Sequence, residues 1–306
     1  LSRYDSILWN LYKLVIMTQK SKAKIIIYLA YHKTGSKWMW NNFLCKKYPC
    51  YQINVRDSNS RDILDQIDYF NYDGPIIIRT KLEDGLMGSE IRGIIERIKE
   101  IFPDPKIIIS PRSQRSLVPS HYGQYVMNGG RLRYKKYLEK IVESKWYYSK
   151  FISLLYKIFG NDNVFVYLFE DFVHDKYDLL LNLEKFISGN TESTLPKSEL
   201  NALVNQPKMN PQRNDLVIDI ALILNKLRLR HRKNAILPII KGPSGDHILV
   251  EIAAFIANQL NKRFNINIRY RSFDNLELIE KAYASENKNL SKLINRDLKK
   301  YNYPGL

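Results

Sequence analysis

The chain has 306 residues, with 48 lysines and arginines against 31 aspartates and glutamates, a formal net charge of +17. Hydrophobic residues make up 45%, which excludes a disordered polycation and leaves apolar material for one large core. Two cysteines, Cys45 and Cys50, exclude a disulfide scaffold and a four-cysteine zinc site, and point to a reducing, cytoplasmic compartment. The charge calls for an anionic partner: nucleic acid, nucleotide, sulfated or carboxylated glycan, or lipid surface. A composition rich in lysine, isoleucine and asparagine is an equally good source of that charge.

Along the chain, the first apolar stretch, from Ile7 to Met17, is interrupted by Asn10 and Lys13. It is too short for a membrane span and lacks a signal-peptide cleavage site, so it reads as a short amphipathic helix. Residues 1–22 are taken as an N-terminal extension and 23–306 as a single domain. Four continuous apolar runs follow: Ile25 to Tyr31, Ile76 to Arg79, Ile107 to Ser110 and Val164 to Phe169. Continuous rather than alternating runs fit strands covered on both faces. Helical patterns lie between and beside them at Trp38 to Lys47, Gly88 to Phe102, Leu117 to Val126 and Tyr134 to Phe159. This alternation predicts an α/β fold with an open parallel sheet and flanking helices. After Gly189 the patterns are helical, at Asp215 to Arg232, Ile248 to Phe264 and Leu276 to Lys300. The expectation is an α/β core over 23–190 and a mainly helical C-terminal cap over 191–306.

The first strand runs into His32-Lys33-Thr34-Gly35-Ser36-Lys37-Trp38 and then a helix. Free backbone N–H groups and the dipole at a helix start favour an anion there. Gly35 permits close approach, Thr34 and Ser36 offer hydroxyls, and Lys33 and Lys37 offer charge. A plain strand-to-helix turn with solvated lysines has the same sequence. The Walker pattern is missing, because no glycine stands five residues before Gly35. A second anchor follows the strand ending at Ser110, where Arg112 falls at the carboxyl edge of the sheet and Ser120 lies eight residues on. An arginine fork and a serine hydroxyl there could share a phosphate. A surface ion pair and a helix cap behind Pro119 are the plain alternatives.

With these residues in place, the sequence resembles the sulfotransferase family that uses 3′-phosphoadenosine 5′-phosphosulfate, in its bacterial and Golgi-type members more than its cytosolic ones. The resemblance rests on Tyr31 to Trp38 as the 5′-phosphosulfate loop, and on Arg112 with Ser120 at the family's spacing. Its third element is the strand Val164 to Tyr167 followed by Phe169-Glu170-Asp171. It covers roughly Ile25 to Ile187. The chain end, with Tyr283, Glu286, Asn287 and Ser291, is faintly similar too. Lys241-Gly242 is similar to the family's 3′-phosphate motif, with Ile240 where an arginine is expected; a Gly-Pro turn between helices explains it as well.

The resemblance implies in-line sulfuryl transfer to a hydroxyl or amine of a glycan or small metabolite, with no metal. Lys33 would stabilise the leaving group, Thr34, Gly35, Ser36 and Lys37 would cradle the 5′-phosphosulfate, and Arg112 and Ser120 would hold the 3′-phosphate. Trp38 would stack near the adenine or pack in the core. For the base, Lys81 occupies the position of the cytosolic members' histidine, Glu83 is preferred, and His121 is an alternative. A nucleotide-dependent kinase is the second reading, opposed by the missing Walker pattern and by the lack of an aspartate for Mg²⁺ after Ile107 to Ser110. A non-catalytic nucleic-acid-binding protein is the third, resting on the basic run from Lys226 to Lys233. Leucines alternate with the cations there, so no aromatic stacking platform is present, and a specific nucleic-acid partner is not expected. If that run faces the cleft, the acceptor is acidic.

Overall fold

The computed structural model describes residues 23–55, 60–67, 72–82, 88–102, 104–142, 146–206, 214–227, 243–264 and 275–306. The N-terminal extension and positions 228–233 of the basic run lie outside these.

The chain enters through β1 (Lys24–Ala30) and turns into a continuous helical stretch made of α1 (Ser36–Trp38), a π-helical turn (Met39–Leu44) and α2 (Cys45–Lys47). Next come β2 (Cys50–Gln52), α3 (Ser60–Asp65), β3 (Pro75–Lys81), α4 (Gly88–Ile101) and β4 (Lys106–Ile109). Then follow α5 (Gln114–Met127), α6 (Tyr134–Ile141), α7 (Tyr148–Phe159) and β5 (Val164–Val166). Helices complete the chain: α8 (Phe169–His174), α9 (Lys176–Ser188), α10 (Lys197–Val204), α11 (Asp215–Leu224), α12 (Pro243–Phe264) and α13 (Leu276–Leu293).

The strands pair in the order β2-β3-β1-β4-β5, every pair parallel. Strand side chains alternate between faces, and the two faces feed two separate cores. Ile27, Leu29, Ile76, Ile78, Ile107 and Ile109 pack on one side with α4, α5, α7 and α11 to α13. Ile26, Tyr28, Ile77 and Ile108 pack on the other with the helical stretch after β1, α9 and α10. The predicted open parallel sheet with helices on both faces is therefore the observed architecture, and after Gly189 the described residues form helices without a strand. No helix among the described residues is long and apolar enough to cross a membrane.

Several local expectations change. β2 was too short to show as an apolar run. The single helix expected from Tyr134 to Phe159 is two, α6 and α7, parted near Trp146, whose φ of 61° is left-handed. The Trp146 carbonyl accepts from Gln114 Nε2 at 3.2 Å, and its ring meets the His121 ring edge-on. Tertiary contacts thus hold a break that no glycine or proline announces. α5 starts at Gln114, so Pro119 lies inside it and Ser120 is not a cap. Cys45 and Cys50 are joined by a disulfide, their Cα atoms 5.4 Å apart. The cysteines therefore lose the support they lent to a reducing compartment.

The chain end is tied back to the core. Glu286 accepts from the Ser149 amide and, at 2.7 Å, from its hydroxyl, capping the first turn of α7. Asn287 donates to Gln114 Oε1 at 3.1 Å and to the Pro304 carbonyl at 2.9 Å.

Candidate active site

β1 lies between β3 and β4, with Leu29 opposite Ile109. The segments after β1 and β4 therefore leave the sheet side by side at its carboxyl edge, at the point where the strand order reverses. Open α/β sheets bind ligands in that position.

The loop after β1 is shaped by two left-handed residues, Lys33 at φ 63° and Gly35 at φ 72°. A Cβ on Gly35 would stand 3.0 Å from the Phe172 ring, so both the dihedral and the space call for glycine. The hydroxyls of Thr34 and Ser36 donate to the Tyr31 carbonyl at 3.0 and 3.3 Å. Their protons close the loop on itself and do not face the anion expected there. Lys33 is half-buried, Lys37 exposed and Trp38 buried. The Trp38 ring packs against Phe172 at 5.0 Å and lies under Lys176 Nζ. Of its two expected roles, this packing fits the core position.

Arg112 enters the same loop from the β4 side. Its Nη1 donates to the Lys33 carbonyl, its Nε to Ser116 Oγ at 2.9 Å and its Nη2 to the Ser116 carbonyl at 3.2 Å. The guanidinium lies 4.2 Å from the centre of the Phe169 ring. Burial lowers its pKa to about 10, against the upward pull of Glu170, Tyr148 and Tyr303. Ser116 and Ser120 are four apart on α5 and share a helix face, and Ser120 is buried. Arg112, Ser116 and Ser120 thus continue one polar stripe away from the loop.

The Phe169-Glu170-Asp171 motif braces this arrangement. The Phe169 amide donates to the Pro111 carbonyl at 2.8 Å, beside its ring's contact with Arg112. Glu170 accepts from the Ser113 amide at 3.1 Å and from the Tyr303 hydroxyl at 3.2 Å. Burial raises the Glu170 pKa despite those bonds and the nearby Arg112. Asp171 caps α8 through the Leu168 amide and takes a two-pronged contact from Arg296 at 2.7 and 3.2 Å.

Arg79, near the end of β3, was not singled out as a site residue. It is 8% exposed, donates from Nη2 to Ser36 Oγ at 3.3 Å and lies 5.5 Å from the Trp40 ring. Its Nε meets no acceptor among the described residues. Burial lowers its pKa, offset in part by the Tyr28 and Tyr167 hydroxyls, which lie 3.1 Å apart. A buried fork with an unmet donor beside an anion-shaped loop can take a ligand oxygen. The sequence signal was a cation closing the apolar run Ile76-Ile77-Ile78.

Two of the remaining expected residues are described. The Lys81 backbone pairs opposite Ala30 at the end of β3. His121 is buried on α5, its Nδ1 against the Tyr137 hydroxyl and its ring edge-on to Trp146. Glu83, Lys241 and Gly242 lie outside the described residues. Among the described residues no group of histidines, cysteines or carboxylates could hold a metal ion.

No protein-family model matches the chain, and no curated protein matches it. Among solved structures it is similar to a sulfotransferase from Alicyclobacillus acidocaldarius, at 14% identity over 90% of this chain and 97% of that one, with a TM-score of 0.49. It is also similar to mouse sulfotransferase SULT7A1 complexed with PAP, at 12% identity over 92% of this chain and 88% of that one, with a TM-score of 0.48.

Proposed function

We propose that the chain is a sulfotransferase that moves a sulfuryl group from 3′-phosphoadenosine 5′-phosphosulfate to a hydroxyl, or an amine, of a glycan or small metabolite. One observation carries the reading: Arg112 is bonded to the Lys33 carbonyl, so the two expected anion anchors meet at the carboxyl edge of a parallel sheet. A donor with two anionic groups needs such a pair.

In this reading the acceptor oxygen attacks sulfur in line as the bond to the bridging oxygen of adenosine 3′,5′-bisphosphate breaks. Lys33, with Arg79 beside the loop, would offset the charge growing on the leaving and sulfuryl oxygens. Thr34, Gly35, Ser36 and Lys37 would surround the 5′ group. Arg112 and Ser120, with Lys241 and Gly242, would take the 3′-phosphate. Glu83 is the preferred base, with Lys81 and His121 as the other two. An acidic acceptor would suit the basic run after α11. The kinase reading is opposed by the missing Walker pattern in the loop after β1.

The test is titration with adenosine 3′,5′-bisphosphate. Saturable binding that Arg112→Ala abolishes, together with label transfer from the sulfuryl donor that Lys33→Ala removes, supports the reading. A folded protein that does not bind the nucleotide refutes it.

A further inference from the structure

The segment after α13 reaches back to the residue beside Arg112. Every polar group of Ser113 is held. Its carbonyl accepts from the Ser116 and Leu117 amides at 3.1 and 2.9 Å, opening α5. Its amide donates to Glu170 Oε1 at 3.1 Å. Its hydroxyl makes no cap on its own helix and donates instead to the Asn302 carbonyl at 2.8 Å. Asn302 has a φ of 55°, left-handed like Lys33. Next in sequence, Tyr303 is 1% exposed and donates to Glu170 Oε2 at 3.2 Å. Burial, with Glu170 next, holds the pKa of this hydroxyl well above its ordinary value, so it remains a donor. The Tyr303 ring packs in the core. Packing alone would be served by phenylalanine; the hydroxyl serves Glu170.

A neighbouring contact differs in where it leads. Tyr301 donates to Asp171 Oδ1 at 3.1 Å, and Arg296 grips the same carboxylate. Asp171 turns this back into its own helix through the Leu168 amide. Glu170 instead carries the pull of Tyr303 across to Ser113, and so to the backbone that aims Arg112. Arg112 can fork to the Lys33 carbonyl and to Ser116 only while that backbone keeps its direction. A planar fork tolerates little misplacement.

We propose that Tyr303 is a positioning residue for the nucleotide: through Glu170 and Ser113 it sets the direction in which Arg112 meets the 3′-phosphate. This rests on the sulfotransferase reading and adds to it a residue far from the loop in sequence.

The full chain is titrated calorimetrically with adenosine 3′,5′-bisphosphate and with adenosine 5′-phosphate, which lacks the group assigned to Arg112. The ratio of the two affinities isolates the 3′-phosphate. A general loosening of the fold lowers both affinities and leaves the ratio alone. Tyr303→Phe should lower the ratio about fivefold or more. Glu170→Leu removes the same bond from the other side and should lower it at least as far. The double variant should fall no further than Glu170→Leu alone. Tyr301→Phe should lower the urea midpoint and leave the ratio unchanged. Circular dichroism confirms that each variant is folded where it is titrated, and either Tyr303→Phe or Glu170→Leu decides the matter if the other does not fold. A wild-type chain that binds no adenosine 3′,5′-bisphosphate removes the sulfotransferase reading and this inference with it. A wild-type chain that binds it, beside a folded Tyr303→Phe or Glu170→Leu with the wild-type ratio, overturns the role of Tyr303 and leaves that reading standing. So does an equal drop in Tyr301→Phe, or losses that add in the double variant, since either makes the effect one of packing.

Discussion

The Arg112 guanidinium holds the carbonyl of Lys33, a residue whose own φ is 63°. One side chain thus fixes both the segment after β4 and the left-handed turn after β1. Lysine at position 112 keeps the charge but cannot make the fork to Lys33 and Ser116 at once. Arg112→Lys should lower unfolding free energy by about 1–3 kcal/mol and weaken adenosine 3′,5′-bisphosphate binding about tenfold or more. Urea denaturation and calorimetric titration measure the two. A variant with unchanged affinity and lowered stability would confine Arg112 to a structural role.

Arg79 separates burial from use. It is enclosed by Ser36, Trp40 and the Tyr28–Tyr167 pair, with its Nε unmet among the described residues. Arg79→Gln removes a desolvated charge, so stability should change by less than about 1 kcal/mol while affinity for the nucleotide falls about tenfold or more. Tyr28→Phe should act mainly on stability, costing about 1 kcal/mol through the lost bond to Tyr167. Parallel denaturation and binding curves distinguish these patterns. Equal losses of stability in both variants, with binding untouched, would count against a ligand role for Arg79.

Gly35 is constrained twice, by φ 72° and by the Phe172 ring 3.0 Å from where a Cβ would lie. Gly35→Ala should cost about 1–3 kcal/mol. A cycle with Phe172→Leu apportions it: relief of the ring contact appears as coupling between the two sites, and the remainder belongs to the dihedral. A denaturation midpoint for Gly35→Ala equal to wild type would contradict the described turn.

The sheet was readable because its strands are buried on both faces, so Ile25 to Tyr31 and Ile107 to Ser110 stand out as continuous apolar runs. β2 escaped because a three-residue strand has no pattern of its own, and the break at Trp146 because long-range contacts hold it. At the site, Gly35 and Arg112 were legible as a turn glycine and a cation after a strand. The inward turn of the Thr34 and Ser36 hydroxyls was not, since a hydroxyl's partner depends on the Tyr31 carbonyl's direction. Arg79 was hidden because a cation ending a strand usually faces water; only the packing of Trp40, Tyr28 and Tyr167 makes it buried. The Cys45–Cys50 bond depended on the turn from α2 into β2 bringing two cysteines together.

Glu170 makes the stability of this region depend on pH. Burial raises its folded pKa above the ordinary 4.5, although the Ser113 amide and the Tyr303 hydroxyl both favour its charged form. Below the unfolded pKa the carboxyl is protonated in both states. Above it the native state retains the proton longer, so stability from this group falls as pH rises through the folded pKa. Glutamine at 170 stays neutral throughout, can accept from Ser113 and can donate to Tyr303. The difference in unfolding free energy, Glu170→Gln minus wild type, should therefore grow more positive as pH rises above 4.5 and level off once the raised folded pKa is passed. Urea denaturation at half-unit pH steps, analysed as that difference so that other carboxylates cancel, checks it. A difference that falls with pH would mean that the charged carboxylate is the form stabilised by the fold.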